Sequence, residues 1–238
     1  MQTVYYLVLV VMVYAAMALF IIGTVWQGVR IFRGLRHSLA TTVGPPKPPQ
    51  LRGALCDTFL RPRTFRTHPV HWVLLIAFHA ALLLLFLGHL ELIGEIGVLQ
   101  TIQHEVFLGR GVVGITLLVT VLFFIFRRFH APISEISDPG SYYTLILLLL
   151  VILFGSQLHL ARSLFAYSTV DVEQYREYLT GMLTFRPALP DVFADDMVGH
   201  SFLLVLHVFC ANLFLMLFPL TRMMHALLAI PLARLQRR

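Results

Sequence analysis

The chain has eleven histidines among 238 residues, and several of them occupy the places least hospitable to an imidazole. His79 and His89 end the run "FHAALLLLFLGH", His159 and His207 lie inside similar apolar runs, and His225 closes "LFPLTRMMH". Hydrocarbon offers no partner to a ring nitrogen, so each must find one within the protein. The others are easier to place. His37 and His130 lie among basic loop residues, His68 and His71 at one end of an apolar run, and His104 and His200 at the start of two others.

Taken singly, a histidine in such a run is more commonly a hydrogen-bonded core residue than a ligand. Two pairs on two helices carry more weight. His79 and His89 are ten residues apart, about 15 Å along a helix with a roughly 80° offset between faces. His207 and His225 are eighteen apart, about 27 Å and five whole turns, so they share a face. If the two helices run in opposite directions, His89 meets His207 at one depth and His79 meets His225 at another. Pro219 removes a helix hydrogen bond between His207 and His225 and predicts a kink there, which with tilt reconciles the unequal spacings. Two neutral histidines facing each other across a bundle suit axial ligation of a haem iron, whose apolar macrocycle belongs in such a core.

The elements that must position these residues are membrane helices. The composition is 58% hydrophobic and 13% charged, against about 25% charged in soluble domains, with a mean hydropathy of +0.80. The expected fold is an all-α membrane protein, a single domain over 1–238 with five spans at about 3–26, 70–93, 104–126, 141–163 and 199–222. The first apolar block lacks a basic leader and is long enough to span, so it reads as a retained helix rather than a signal peptide. Cys56 and Cys210 form neither a disulfide framework nor a metal motif.

Loop charges set the orientation. The connection 27–69 carries Arg30, Arg33, Arg36, Lys47, Arg52, Arg61, Arg63 and Arg66 against Asp57, and Arg127, Arg128 and the C-terminal arginines lie on the same side. Glu91, Glu95 and Glu105, then Asp171, Glu173, Glu177, Asp191, Asp195 and Asp196, fill the other two connections. The positive-inside rule puts the N-terminus outside and the C-terminus in the cytoplasm. The net charge of +6 is therefore topological and does not signal nucleic-acid binding. Within the outer loop 164–198, Val172, Tyr175, Leu179 and Met182 form one helical stripe, with Thr169 as a cap and Gly181 near the end. A short amphipathic helix is expected, lying on the membrane surface or packed on the bundle.

"LIAFHAALLLLFLGHL" together with "VLHVFCANLFLMLFPLTRMMH" resembles the gamma subunit of respiratory nitrate reductase, a five-helix dihaem cytochrome b. The likeness rests on the ten- and eighteen-residue histidine spacings, the glycine before the second histidine and the Leu-Phe-Pro then Arg-x-x-His ending. The resemblance implies His89 and His207 as ligands of a distal haem near the outer face, and His79 and His225 as ligands of a proximal one. It also implies Arg222 as a partner for a haem propionate, although Arg222 serves equally as a positive-inside anchor.

Two departures matter. Relatives carry a lysine near the start of the third helix, associated with the quinol site, whereas the single lysine here is Lys47. The matching region offers Gln103, His104, Glu105 and Arg110. The outer-loop pattern "YREYLTGMLTFRP" is similar to the cytochrome b subunit of the membrane complex associated with dissimilatory sulfite reductase.

The resemblance implies an oxidoreductase subunit of the bacterial cytoplasmic membrane, with terminal chemistry on another subunit. Electrons would move between quinone or menaquinone at the outer face and a cytoplasmic iron–sulfur subunit through two b haems. That partner would be heterodisulfide reductase-like or nitrate reductase beta-like, with other membrane or periplasmic cytochrome subunits possible. Quinol oxidation needs proton acceptors, and Gln103, His104, Glu105, Arg110, Gln157, His159, Arg162 and His200 lie at the outer helix ends. The alternatives are a nitrate reductase gamma subunit, a haem-free anchor or a transporter. No inverted repeat or pair of broken helices favours the last.

Overall fold

The computed structural model describes residues 2–41, 56, 60–94, 111–165, 172–189 and 200–224. Among these there is no strand. The chain opens with α1, Gln2–Tyr6, a π turn at Leu7–Val11 and α2, Met12–Thr41. It continues through α3, Pro62–Thr67, α4, Pro69–Glu91, α5, Val112–Arg128, α6, Ile133–Ile136, α7, Pro139–Phe165, α8, Val172–Leu183, and α9, His200–Leu217.

Four stretches are long and apolar enough to cross a membrane: Thr3–Gly34, Pro69–Glu91, Pro139–Leu158 and Phe202–Leu220. The fourth expected crossing, 141–163, and the second, 70–93, match α7 and α4 closely. α5, 17 residues ending in Arg127 and Arg128, overlaps the expected third span 104–126 but is not among these four; the start of that expected span lies outside the described residues. The first helix departs from expectation, because α2 runs to Thr41 instead of stopping near residue 26. Charges mark where hydrocarbon ends, not where a helix ends. No proline interrupts the sequence until "GPPKPP", so Arg30, Arg33 and Arg36 ride on the helix rather than in a loop.

Packing follows an arc in which α4 lies against α5, α5 against α7, α7 against α9 and α9 against α2. One core joins Phe78 and Ala81 of α4 to Val113, Leu117 and Val121 of α5 and Leu148 and Ile152 of α7. Thr120, 1% exposed in this core, donates its hydroxyl to the Thr116 carbonyl at 2.7 Å, which spares it an interhelical partner. Beyond α5, Ala131–Pro132 is cis, and Tyr142 of α7 donates to the Arg128 carbonyl at 2.7 Å.

The second core gathers Tyr5, Val8, Leu9 and Val10 at the start of the first span, Tyr178 and Met182 of α8, and Leu204 and Val205 of α9. Here the π turn is the organising irregularity. Met12 N–H bonds back to the Leu7 carbonyl, five residues away, and such a turn disturbs the normal service of nearby carbonyls. Side chains from elsewhere meet two of them. Asn212 Nδ2 of α9 donates to the Val8 carbonyl at 3.1 Å, and Tyr178 of α8 donates to the Leu9 carbonyl. Tyr14 returns a bond to the Met182 carbonyl at 2.9 Å. Of the two placements open to the amphipathic helix, α8 takes the packed one. Tyr175, Leu179 and Met182 of its expected stripe join this core.

Pro219 does more than kink the last helix. The α-helix ends at Leu217, a 3-10 turn spans Phe218–Leu220, Thr221 is extended, and a second 3-10 turn covers Arg222–Met224. The arithmetic of five whole turns between His207 and His225 assumed a continuous helix and does not apply. Pro219 is fully buried against α2, where a Cβ on Gly23 would lie 2.8 Å from the prolyl Cβ and Cγ. The glycine lets the broken helix end approach the first span.

Candidate functional site

His89 lies near the C-terminal end of α4 and His207 in the first half of α9. α4 and α9 are not among the closely packed helix pairs of the described residues, yet these two imidazoles face each other. Their ring centroids are 6.4 Å apart and their planes 26° apart. The second histidine of one helix and the first of the other thus lie close together in space.

Both rings are anchored through Nδ1. His89 Nδ1 bonds the Leu85 carbonyl, one turn back on its own helix, at 2.8 Å. His207 Nδ1 bonds the Val151 carbonyl of α7 at 2.9 Å. A carbonyl only accepts, so Nδ1 carries the proton, and in a neutral ring the lone pair is then on Nε2. His79 has the same anchor, Nδ1 to the Leu75 carbonyl at 2.7 Å, and a ring contact with Phe78. The back-bond alone is not diagnostic, because His130 in the α5–α6 connection makes it too, to the Phe126 carbonyl at 2.9 Å. What distinguishes His89 and His207 is their mutual distance and the interhelical anchor of His207.

These residues fit a haem iron. A metal held between two imidazoles places each nitrogen at about 2 Å, and half a ring on either side brings the centroids to roughly 6 Å apart. The second shell also fits, since ligating histidines usually donate their other nitrogen to a carbonyl or carboxylate. Among the described residues no three His, Cys, Asp or Glu side chains converge on one point. A haem needs only two, because the macrocycle supplies the other four nitrogens.

The second expected pair is half described. His225 lies outside the described residues, and Arg222 is described by its backbone alone. Of the outer-face group, Gln103, His104, Glu105 and Arg110 lie outside the described residues. His159, Arg162 and His200 are placed on α7 and α9 by backbone only, and Gln157 is half-buried on α7.

Two residues of the helices that carry this site escaped the sequence reading. Glu91, counted there as an outer-loop charge, is 4% exposed at the end of α4, two residues past His89. Its position within a turn of the helix end was the available signal. Gly155 of α7 backs His207 so closely that a Cβ would lie 2.9 Å from the ring Cε1 and 3.1 Å from Nδ1. A lone glycine in an apolar helix carries no such message until the neighbouring helix is known.

The sequence profile of the nitrate reductase gamma subunit family matches residues 71–238. Among curated proteins, none matches the chain. The matched region takes in His79, His89, His207 and His225, and the chain belongs to the nitrate reductase gamma subunit family.

Proposed function

From that membership, which makes the chain a multi-pass membrane subunit of a haem b-binding family within respiratory oxidoreductase complexes, we propose that it is a dihaem cytochrome b. In this role it links the quinone pool near the outer face to a cytoplasmic iron–sulfur subunit. The observation that carries the proposal is the His89–His207 pair, 6.4 Å apart with both Nδ1 atoms committed to carbonyls.

In this reading His89 and His207 hold the outer iron through Nε2, and His79 and His225 hold the inner one, with Arg222 partnering a propionate. Haem b supplies reversible one-electron transfer between the two faces. The residues of this chain supply ligand orientation, a dry apolar surround and proton acceptance. Quinol oxidation releases protons as well as electrons. Gln103, His104, Glu105, Arg110, Gln157, His159, Arg162 and His200 are the outer-face groups able to take or relay them, and buried Glu91 joins them.

The proposed topology has five crossings, with the N-terminus outside and the C-terminus in the cytoplasm of a bacterial cell. Two contacts support its internal consistency. The acidic-loop helix α8 packs on the first turns of the first span, and Pro219, near the basic C-terminus, packs on Gly23 farther along it.

Sulfur metabolism is the favoured setting, supported by "YREYLTGMLTFRP" and by the lack of any lysine in the third span. The partner would then be a heterodisulfide reductase-like iron–sulfur subunit. The family match is equally consistent with a nitrate reductase setting and a beta-like partner, and co-purification of the complex separates the two. The test of the core proposal is a reduced-minus-oxidised spectrum with a haem assay. Two b-type centres are expected, with His89→Ala and His207→Ala each losing the same one. Absence of b-type haem from the wild-type protein would sink the proposal.

A further inference from the structure

The two histidines of the outer pair are held differently. His89 is anchored to its own helix, four residues back, so its orientation is a local property of α4. His207 is anchored across a helix–helix interface, to the Val151 carbonyl at 2.9 Å, so its orientation depends on α7.

Val151 lies inside α7, where the ordinary i to i+4 pattern of an α-helix assigns its carbonyl to the N–H of Gly155 as well. A carbonyl has two lone pairs and can serve both donors. Access is the difficulty. Helix side chains tilt toward the N-terminus, so the residue at i+4 normally overhangs the carbonyl at i. At this carbonyl the overhanging residue is Gly155, and the volume its side chain would fill is taken by the His207 ring. A Cβ there would sit 2.9 Å from Cε1, 3.1 Å from Nδ1 and 3.8 Å from Nε2. Glycine at 155 and the hydrogen bond to 151 are therefore one device: the missing side chain opens the carbonyl to an imidazole on the next helix.

We infer that α7 is the positioning element of the outer haem site, with the Val151 carbonyl orienting the His207 imidazole and Gly155 making room for it. This rests on the proposal that His207 is an iron ligand. An N–H donated to a carbonyl makes the opposite nitrogen a stronger base, and a ligand's basicity sets the balance between oxidised and reduced iron. Gly155 and Val151 are positioning residues; neither touches the iron.

The experiment is a potentiometric titration of the whole complex in its membrane, followed through the b-type absorbance, for wild type, Gly155→Ala and Gly28→Ala. The outer centre is the one missing in His89→Ala. With Gly155→Ala, that centre should change its oxidised-to-reduced ratio at fixed potential by about tenfold or more, about 59 mV for one electron, or lose its haem. The inner centre should hold its wild-type value. Gly28→Ala, where a Cβ meets nothing within 4 Å, should leave both centres unchanged.

An unshifted outer centre in Gly155→Ala overturns the inference, and so does an equal shift of both centres, which would mean general loosening. Wild type without haem defeats the earlier proposal and this one with it. Wild type with two centres and a silent Gly155→Ala defeats only this one. If Gly155→Ala does not assemble, 15N spectra of the reduced wild-type protein with labelled histidine decide. The signal absent from His207→Ala should show a protonated, slowly exchanging Nδ1, and rapid exchange there would overturn the inference.

Discussion

Gly23 and Gly28 lie five residues apart on α2 yet should respond to alanine in opposite directions. At Gly23 the added methyl would lie 2.8 Å from Cβ and Cγ of Pro219. Carbon atoms rest at about 3.5–4.0 Å, so the overlap is roughly 0.7–1.2 Å. The prolyl ring cannot swing away, because its torsion is locked by its own backbone and the residue is fully buried. Relief has to come from moving α2 or the 3-10 segment, at about 1–3 kcal/mol. At Gly28 a methyl meets nothing within 4 Å, and replacing glycine by alanine inside a helix gains about 0.5–1 kcal/mol. The helix gain is common to both variants and cancels, so they should differ by roughly 1–3 kcal/mol. Thermal unfolding of the detergent-solubilised protein at one fixed scan rate ranks them, since such unfolding is commonly irreversible. Gly23→Ala should melt several degrees below wild type and Gly28→Ala at or slightly above it. If Gly23→Ala melts with or above Gly28→Ala, the close approach of the broken helix end to the first span is refuted.

Tyr178→Phe should cost about 1–3 kcal/mol by removing the donor to the Leu9 carbonyl in a buried setting, measured in the same melts. Burial, with Tyr14 nearby, pushes the Tyr178 phenol above its ordinary range. Its neutral form is thus favoured by folding, and that contribution is complete below about pH 10 and lost as the pH rises beyond it. The stability advantage of wild type over Tyr178→Phe should accordingly shrink in alkali, and an advantage constant to high pH would contradict the burial of the hydroxyl. Thr120→Val should stay within about 1 kcal/mol of wild type despite full burial, because the lost hydroxyl bonds only within its own helix turn. A larger loss in the melt would mean that the hydroxyl reaches another helix.

What could be read ahead of the structure was whatever one helix determines alone. α4 and α7 appear within two residues of their expected ends, because hydropathy marks the bilayer and proline marks both starts. The closeness of His89 and His207 was suggested by opposite helix directions alone, since the His207–His225 spacing lost its meaning where the helix breaks at Pro219. The end of the first span was not, since the end of the hydrocarbon and the end of the helix are separate events. The π turn at Leu7–Val11 left no mark in a run of Leu and Val. The partners that complete it, Asn212 and Tyr178, come from more than 160 residues away. Gly155 was silent for the same reason, as its role exists only once α9 lies beside α7.

The extension of α2 sets how far the chain reaches. The apolar stretch Thr3–Gly34 is 32 residues, about 48 Å as a helix, against a hydrocarbon core of about 30 Å. Even with a typical tilt of about 20° it stands about 45 Å tall. Some 15 Å must therefore project beyond the hydrocarbon on the side of Arg30 and Arg33, as a post rather than a tether. Its far end is fixed by Tyr178 and Asn212, so the post has little freedom to swing. Thr41, the last residue of α2, thus stands well above the bilayer surface, and a partner docking on this end of the helix meets a rigid stand-off.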